Sequence, residues 1–203
     1  MIKNRIPISI VIPSIGEELL FNTLEKLNEG KFIIDEILII IPKKFYKSHF
    51  ISSQNYKFYF TEFEGQVNQR IYGFSKSKNN IVMQLDCDCV ISNQHVYDLY
   101  NALLKMGKKN CIAPVYFTKN TDKCIHKFPD KKIDFARNLF TSIICGASYS
   151  VMRMGTISKI GNNFGADPEY MVNDMLKSDW LPGGCVLHYK DDIIFNNYYP
   201  FKG

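Results

Sequence analysis

The hydrophobic period along this chain changes several times, and each change marks an element. Residues 6–12 are a short apolar, β-branched run stopped by Pro13-Ser14-Ile15-Gly16. Between 17 and 27 the apolar residues fall at 19, 20, 24 and 27, the spacing of one helix face. Glu17 and Glu18 lie in its first turn, where the helix dipole favours carboxylates, and Gly30 is the expected stop. The stretch 35–41 is apolar throughout after its leading acids, as for a strand buried on both faces of a parallel sheet, and Pro42 ends it. A shorter strand is expected at 56–60, a helix at 66–77 with Val67, Ile71 and Phe74 inward, and a strand at 81–85. Strand, helix, strand, strand, helix, strand is the order of a doubly wound α/β sheet.

The second half is less regular. Ser92 is a good N-cap for a helix over 93–106, with Gly107 as its stop, and 111–117 reads as a strand. Residues 118–140 are polar, Lys-rich and assign to no element. The stretch 141–154 is apolar and small, where strand and helix cannot be told apart. Irregular chain follows over 155–179, with Gly155, Gly161, Gly165 and Pro168, and then Trp180-Leu-Pro-Gly-Gly-Cys-Val-Leu-His, a turn feeding a short apolar run. There is no internal repeat, low-complexity tract or linker.

The chemistry concentrates where the strand at 81–85 ends, in Asp86-Cys87-Asp88. The carboxyl edge of a sheet is where α/β folds place ligands. Two hard oxygen donors one residue apart suit Mg²⁺ or Mn²⁺, which in turn binds diphosphate. The spacing alone is a weak signal; its position after a βαβ-like pattern is what carries it.

Composition narrows the alternatives. At 203 residues, 46% hydrophobic and 22% charged, the chain has the size and balance of one globular domain. Its net charge of +5 comes from scattered lysines, which fits a solvated face with weak attraction to anionic lipid or phosphate. No dense basic stripe with interleaved aromatics is present, which argues against nucleic acid. The cysteines (87, 89, 111, 124, 145 and 185) form no Cys-x-x-Cys pair and read as mostly buried, reduced thiols. With no apolar signal region and no 18-residue apolar run, the chain reads as cytoplasmic, with peripheral contact at the inner membrane face as the remaining option. His49, His95, His126 and His188 lack metal-site spacing, Asp191-Asp192 reads as a loop pair, and Phe45, Tyr46, Phe58 and Tyr59 read as core.

Four segments together resemble the family 2 glycosyltransferases, inverting enzymes of GT-A fold. Ile8-Ser-Ile-Val-Ile-Pro-Ser-Ile-Gly-Glu-Glu-Leu-Leu is similar to the family's opening strand, Pro turn and Glu-led helix. Gly65-Gln-Val-Asn-Gln-Arg-Ile-Tyr-Gly-Phe-Ser-Lys-Ser is similar to its helix before the fourth strand, Ile81-Val-Met-Gln-Leu-Asp-Cys-Asp-Cys-Val-Ile to its metal motif, and Trp180-Leu-Pro-Gly-Gly-Cys-Val-Leu-His-Tyr-Lys to its Gly-rich acceptor-side segment. The resemblance implies an α/β, Rossmann-like GT-A domain with a mostly parallel central sheet flanked by helices. That domain would divide into a nucleotide-sugar-binding half (1–107) and an acceptor-side half (108–203). It implies that Pro13, Ser14 and Ile15 line the nucleotide base and that Glu17, Arg70 and Cys87 belong to the donor site. Asp86 would reach the ribose or sugar and share with Asp88 a Mn²⁺ or Mg²⁺. Gly183 and Gly184 would let backbone pass close to the sugar, since no Cβ intrudes. The partners implied are a nucleotide-diphosphate sugar, a UDP-sugar in the first place, and a surface-polysaccharide or lipid-linked acceptor.

Two departures stand out. The family ends its second strand in an Asp that contacts base or ribose; here the strand ends Ile41-Pro42. The family's Glu-Asp pair, which includes the general base, is expected after Gly203, so the sequence reads as a catalytic domain cut short. Other classes remain open. An apolar strand followed by Asp-x-Asp also opens haloacid-dehalogenase-type phosphatases, where Asp86 would attack phosphorus and Asp88 handle the leaving group's proton; that motif belongs on the first core strand. A non-catalytic nucleotide-sugar binder is a third class. A sugar nucleotidyltransferase would need a Gly-rich phosphate loop after the first strand, which is missing.

Overall fold

A computed structural model describes residues 4–52, 55–119, 121, 123–125, 139–140, 143–144, 154–157, 161, 163, 165, 171 and 174–195. The chain groups into two compact units, Met1–Ala113 with Gly183–Gly203, and Pro114–Pro182.

The first unit holds β1 (Asn4–Pro13), α1 (Glu18–Asn28), β2 (Phe32–Pro42), β3 (Tyr56–Thr61), α2 (Gln66–Lys76), β4 (Ile81–Leu85), α3 (Asn93–Met106), β5 (Cys111–Ile112) and β6 (Cys185–Tyr189). Among the described residues these strands form one sheet in the order β3-β2-β1-β4-β6-β5. The first four are parallel; β6 runs against both β4 and β5. The expected α/β class, a mostly parallel sheet flanked by helices, is what the chain adopts.

Hydrophobic burial explains the central strands. Ile8, Ile10, Val11 and Ile12 of β1 and the run Ile37 to Ile41 of β2 are fully buried, with successive side chains entering opposite faces. Each contributes on the order of 1.5–3 kcal/mol relative to exposure. The chain moves one way from β1 to β2 and the other way from β3 to β4. Right-handed crossovers therefore place α1 and α2 on opposite faces. On the α2 face, Phe74 packs with Val11, Leu38, Ile40 and Val82. Gly73 allows this approach: a Cβ there would lie 2.2 Å from Val11 Cγ1.

Local signals hold at the helix ends. Ser92 Oγ accepts from His95 N at the start of α3, and Gly107 closes that helix at φ +78°. Several expectations are corrected. The strand expected over 111–117 is only Cys111–Ile112, because Pro114 has no N–H to extend the ladder. The buried face of α2 is Gln69, Gly73 and Phe74, while Val67 and Ile71 are only partly covered. Tyr46 is exposed and Phe45, Phe58 and Tyr59 half-buried, because β3 is an edge strand; Phe50 is the buried ring, stacked on Phe58 at 5.2 Å. Of the described cysteines, Cys124 and Cys185 are buried, Cys87 and Cys89 intermediate and Cys111 exposed.

In the second unit, Phe117 bridges Cys124 and Ile157 bridges Asn163. Gly155, at φ +72°, presents its carbonyl to Ser178 Oγ and Asp179 N, each at 2.7 Å. Residues 139, 140, 143 and 144 are helical. Most of 141–154, with Cys145, and also His126, Pro168 and residues 196–203 lie outside the described residues. No helix among the described residues is long and apolar enough to cross a membrane.

Candidate functional site

The chain leaves β1 toward β2 and returns on the other side as β4, so the carboxyl ends of β1 and β4 flank the point where the winding reverses. Such a reversal point is the usual ligand position in open α/β sheets. The loops following both strands carry the residues singled out in the sequence.

After β1, Pro13 is buried in the ladder and Ser14 closes a small hydrogen-bonded turn. Ser14 N donates to Ile40 O (3.1 Å), which extends the ladder one step. Ser14 Oγ accepts from Gly16 N (2.9 Å) and donates to Glu17 Oε2 (2.5 Å), which also accepts from Ile15 N (3.1 Å). Gly16 sits at φ +82°, and a Cβ there would lie 2.7 Å from Phe50 Cζ, so the turn requires glycine. Lys47 Nζ donates to Gly16 O (3.1 Å). Partial burial pushes the Glu17 carboxyl up, but the bonds from Ser14 and the neighbouring amides outweigh it and hold it below the ordinary carboxylate range. Glu17 is therefore an anionic acceptor at the rim, and the Ile15 side chain projects into solvent.

After β4, Asp86 opens a β-turn in which Cys89 N donates to Asp86 O (3.0 Å). Two neighbours pin this turn. Asp86 N donates to Gly184 O (2.7 Å), one step beyond the β4–β6 pair Leu85–Cys185, and Thr23 Oγ1 of α1 donates to Cys87 O (2.8 Å). Gln84 Nε2 donates to Gly183 O (2.6 Å). The two glycines thus lie beside the Asp turn through their carbonyls. A Cβ at Gly183 would make only an ordinary contact, with Gln84 Nε2 at 3.9 Å.

One face of α2 addresses both loops. Gln66, Gln69 and Arg70 are spaced three and four apart and so share a side. Arg70 Nη2 pairs with Asp86 Oδ1, which also accepts from Gln66 Nε2 (3.1 Å). Gln69 Nε2 donates to Ser14 O (2.9 Å) and Ile40 O (2.6 Å). Burial raises the Asp86 carboxyl above its ordinary value; Arg70 opposes this and the Asp88 charge adds to it. Asp88 is exposed and forms no ion pair among the described residues. Burial, with the surrounding carboxylates, pushes the Cys87 and Cys89 thiols up to about 12, so both are neutral SH groups at pH 7.

The fold therefore brings together Pro13, Ser14, Ile15, Glu17, Arg70, Asp86, Cys87, Asp88, Gly183 and Gly184 at one sheet edge. Thr23, Gln66, Gln69 and Gln84 were not legible as site residues. Gln69 carried one usable signal: an amide on the α2 side that buries Gly73 one turn later.

Among the described residues no group of three or more His, Cys, Asp or Glu side chains could cage a metal. What the site offers is an exposed Asp88 beside an Asp86 already held by a cation and an amide. That set suits a hard cation keeping most of its coordination for water and phosphate oxygen, as Mg²⁺ does.

No protein-family model matches the chain, and no curated protein matches it in sequence. Among solved structures, 4-diphosphocytidyl-2C-methyl-D-erythritol synthase from Anaerococcus prevotii is similar at 15% identity and TM-score 0.46, over 97% of this chain and 78% of that one. TarS 1–349 from S. aureus is similar at 16% identity and TM-score 0.35, over 46% of this chain and 31% of TarS. This chain thus spans about a third of that TarS segment. At these values neither likeness bears on what this chain binds or transfers.

Proposed function

We propose that this chain binds a nucleotide-diphosphate sugar across the β1–β4 edge and belongs to an inverting glycosyltransferase acting on a surface-polysaccharide or lipid-linked acceptor. The observation that carries the reading is the convergence of two loops at the switch point: a prearranged Ser14–Glu17 turn after β1, and the Asp86–Asp88 pair after β4. The first supplies acceptors and backbone for a nucleoside. The second supplies hard oxygen donors where a diphosphate would lie.

In this reading Asp88, with the free side of Asp86, holds Mn²⁺ or Mg²⁺. When bound, the ion neutralises charge on the leaving diphosphate. Arg70 and Gln66 fix the Asp86 carboxylate, Thr23 fixes the turn that aims Asp88, and the Gly183 and Gly184 carbonyls border the same turn. Glu17, anionic and turned back on Ser14, keeps the β1 loop folded against the sheet edge. The acceptor hydroxyl loses its proton to a carboxylate base and attacks from the face opposite the diphosphate.

The test is calorimetry of the chain with UDP, CDP and GDP, each with Mn²⁺ and with EDTA. Tight binding of one nucleotide that depends on Mn²⁺ is expected. Equal affinity in EDTA would remove the metal from the site. Hydrolysis of p-nitrophenyl phosphate that disappears in Asp86→Asn would favour the phosphatase chemistry instead.

A further inference from the structure

We infer that Gln69 is a positioning residue for the nucleotide site: its side-chain amide ties the carboxyl ends of β1 and β2 together and holds the Ser14–Glu17 turn in shape before any ligand arrives. The inference rests on the nucleotide-binding reading above and adds a residue which that reading does not require.

The need arises from two prolines. β1 ends at Pro13 and β2 at Pro42, and neither residue has an N–H. Backbone donors are therefore scarce at this edge, where Ser14 N donates to Ile40 O at 3.1 Å and Pro42 has no N–H to give to the facing strand. A carbonyl can accept twice, and a buried one left short is costly. Gln69 supplies what the backbone lacks. Its Nε2 donates to Ser14 O at 2.9 Å and Ile40 O at 2.6 Å, and so bridges the two strands with one NH₂ group.

Reach and burial make the bridge specific. Gln69 is 3% exposed, so water does not compete for the same carbonyls. It lies one helical turn before Gly73, where α2 comes down onto Val11 without an intervening Cβ. The close approach at Gly73 brings the helix near enough for a four-atom amide arm to touch strand backbone. The next residue, Arg70, holds Asp86 from the same helix. One rigid α2 turn thus sets the relative placement of the base-side loop and the diphosphate-side loop.

Gln69→Met keeps the length and volume and removes both donors; Gln69→Asn keeps the amide but shortens the arm, and serves if the first variant does not fold. Two readouts are taken on each: the dissociation constant for UDP, CDP and GDP with Mn²⁺, and amide hydrogen exchange over 13–17. Ser9→Ala, beside the amino end of β4, is the control for general destabilisation. The expected result is nucleotide binding weakened about tenfold or more with faster exchange over 13–17, while Ser9→Ala lowers the melting temperature and leaves the dissociation constant unchanged. A purely structural glutamine would lower the melting temperature and leave the folded protein's affinity intact; that result overturns the inference alone. A wild-type chain that binds none of the nucleotides overturns the nucleotide reading, and this inference with it.

Discussion

The two ends of the parallel sheet are built from similar polar residues and reach opposite outcomes. At the amino end of β4, Ser9 Oγ donates to Glu36 Oε2 (2.6 Å), which also accepts from Lys78 N (2.9 Å), while Asn79 donates to Ser9 Oγ through its backbone N–H (3.2 Å) and its side-chain amide (3.1 Å). Ser9 and Glu36 are buried, and their groups are spent on one another. At the carboxyl end, Asp86 is paired with Arg70 yet pushed up by burial, Arg70 Nε is buried without a partner among the described residues, and Asp88 stands in solvent. The first network is closed and clamps the turn before β4 onto β1 and β2. The second is open, and its unspent oxygen donors and uncompensated burial are what a ligand would complete. A polar cluster that satisfies itself serves the fold; one that does not is a candidate for chemistry.

The difference can be broken from either side. The largest effect is expected at the open end. Under the proposed function, Asp88→Asn removes one charge from the ligand set that would hold the metal while keeping the shape, and the sugar transfer proposed above should fall about 10³-fold. Mn²⁺-dependent nucleotide affinity, read by calorimetry, should fall to its value in EDTA while thermal stability stays unchanged. An unchanged Mn²⁺ dependence would remove Asp88 from the metal site. The reverse pattern is expected at the closed end. Glu36→Ala removes the acceptor of the Ser9 hydroxyl proton and of Lys78 N, and denaturant unfolding should show a loss of about 3 kcal/mol with the folded protein's nucleotide affinity unchanged. Loss of affinity in the still-folded variant would mean that the two ends are coupled.

The smallest effect belongs to neither end. His188 on β6 is paired with Val82 in the ladder and meets the Phe74 ring edge-on at 5.5 Å. Burial holds its imidazole below the usual histidine value, with the Tyr189 carbonyl and Asp192 partly opposing. The unfolded chain therefore takes up a proton that the folded chain resists. Its contribution to stability is full above the ordinary value of about 6.5 and is lost as pH falls through the depressed folded value. Melting temperatures measured from pH 7.5 down to 5 should decline, and His188→Phe should flatten that slope.

The sequence alone determined most of the first half of this protein. Period and punctuation located β1, β2, β3 and β4 and the helices between them, because fully apolar β-branched runs have few alternatives to a doubly covered parallel strand and because Pro, Gly and Ser act through local sterics and capping. Asp86 and Asp88 were legible for the same reason, as carboxylates at the end of such a run. The extent of β5 was not, since pairing depends on a partner about 75 residues away in sequence, β6, and on where Pro114 interrupts it. Nor was the inward face of α2 legible from hydropathy: Gln69 and Gly73, polar and small, displace Val67 and Ile71 because helix and sheet meet at Val11. Only the tertiary structure decided which end of the sheet is closed and which is open. That choice turns on whether distant polar groups, such as Ser9 with Glu36 or Arg70 with Asp86, find all their partners, and no local pattern in a chain records a partner that arrives from another strand.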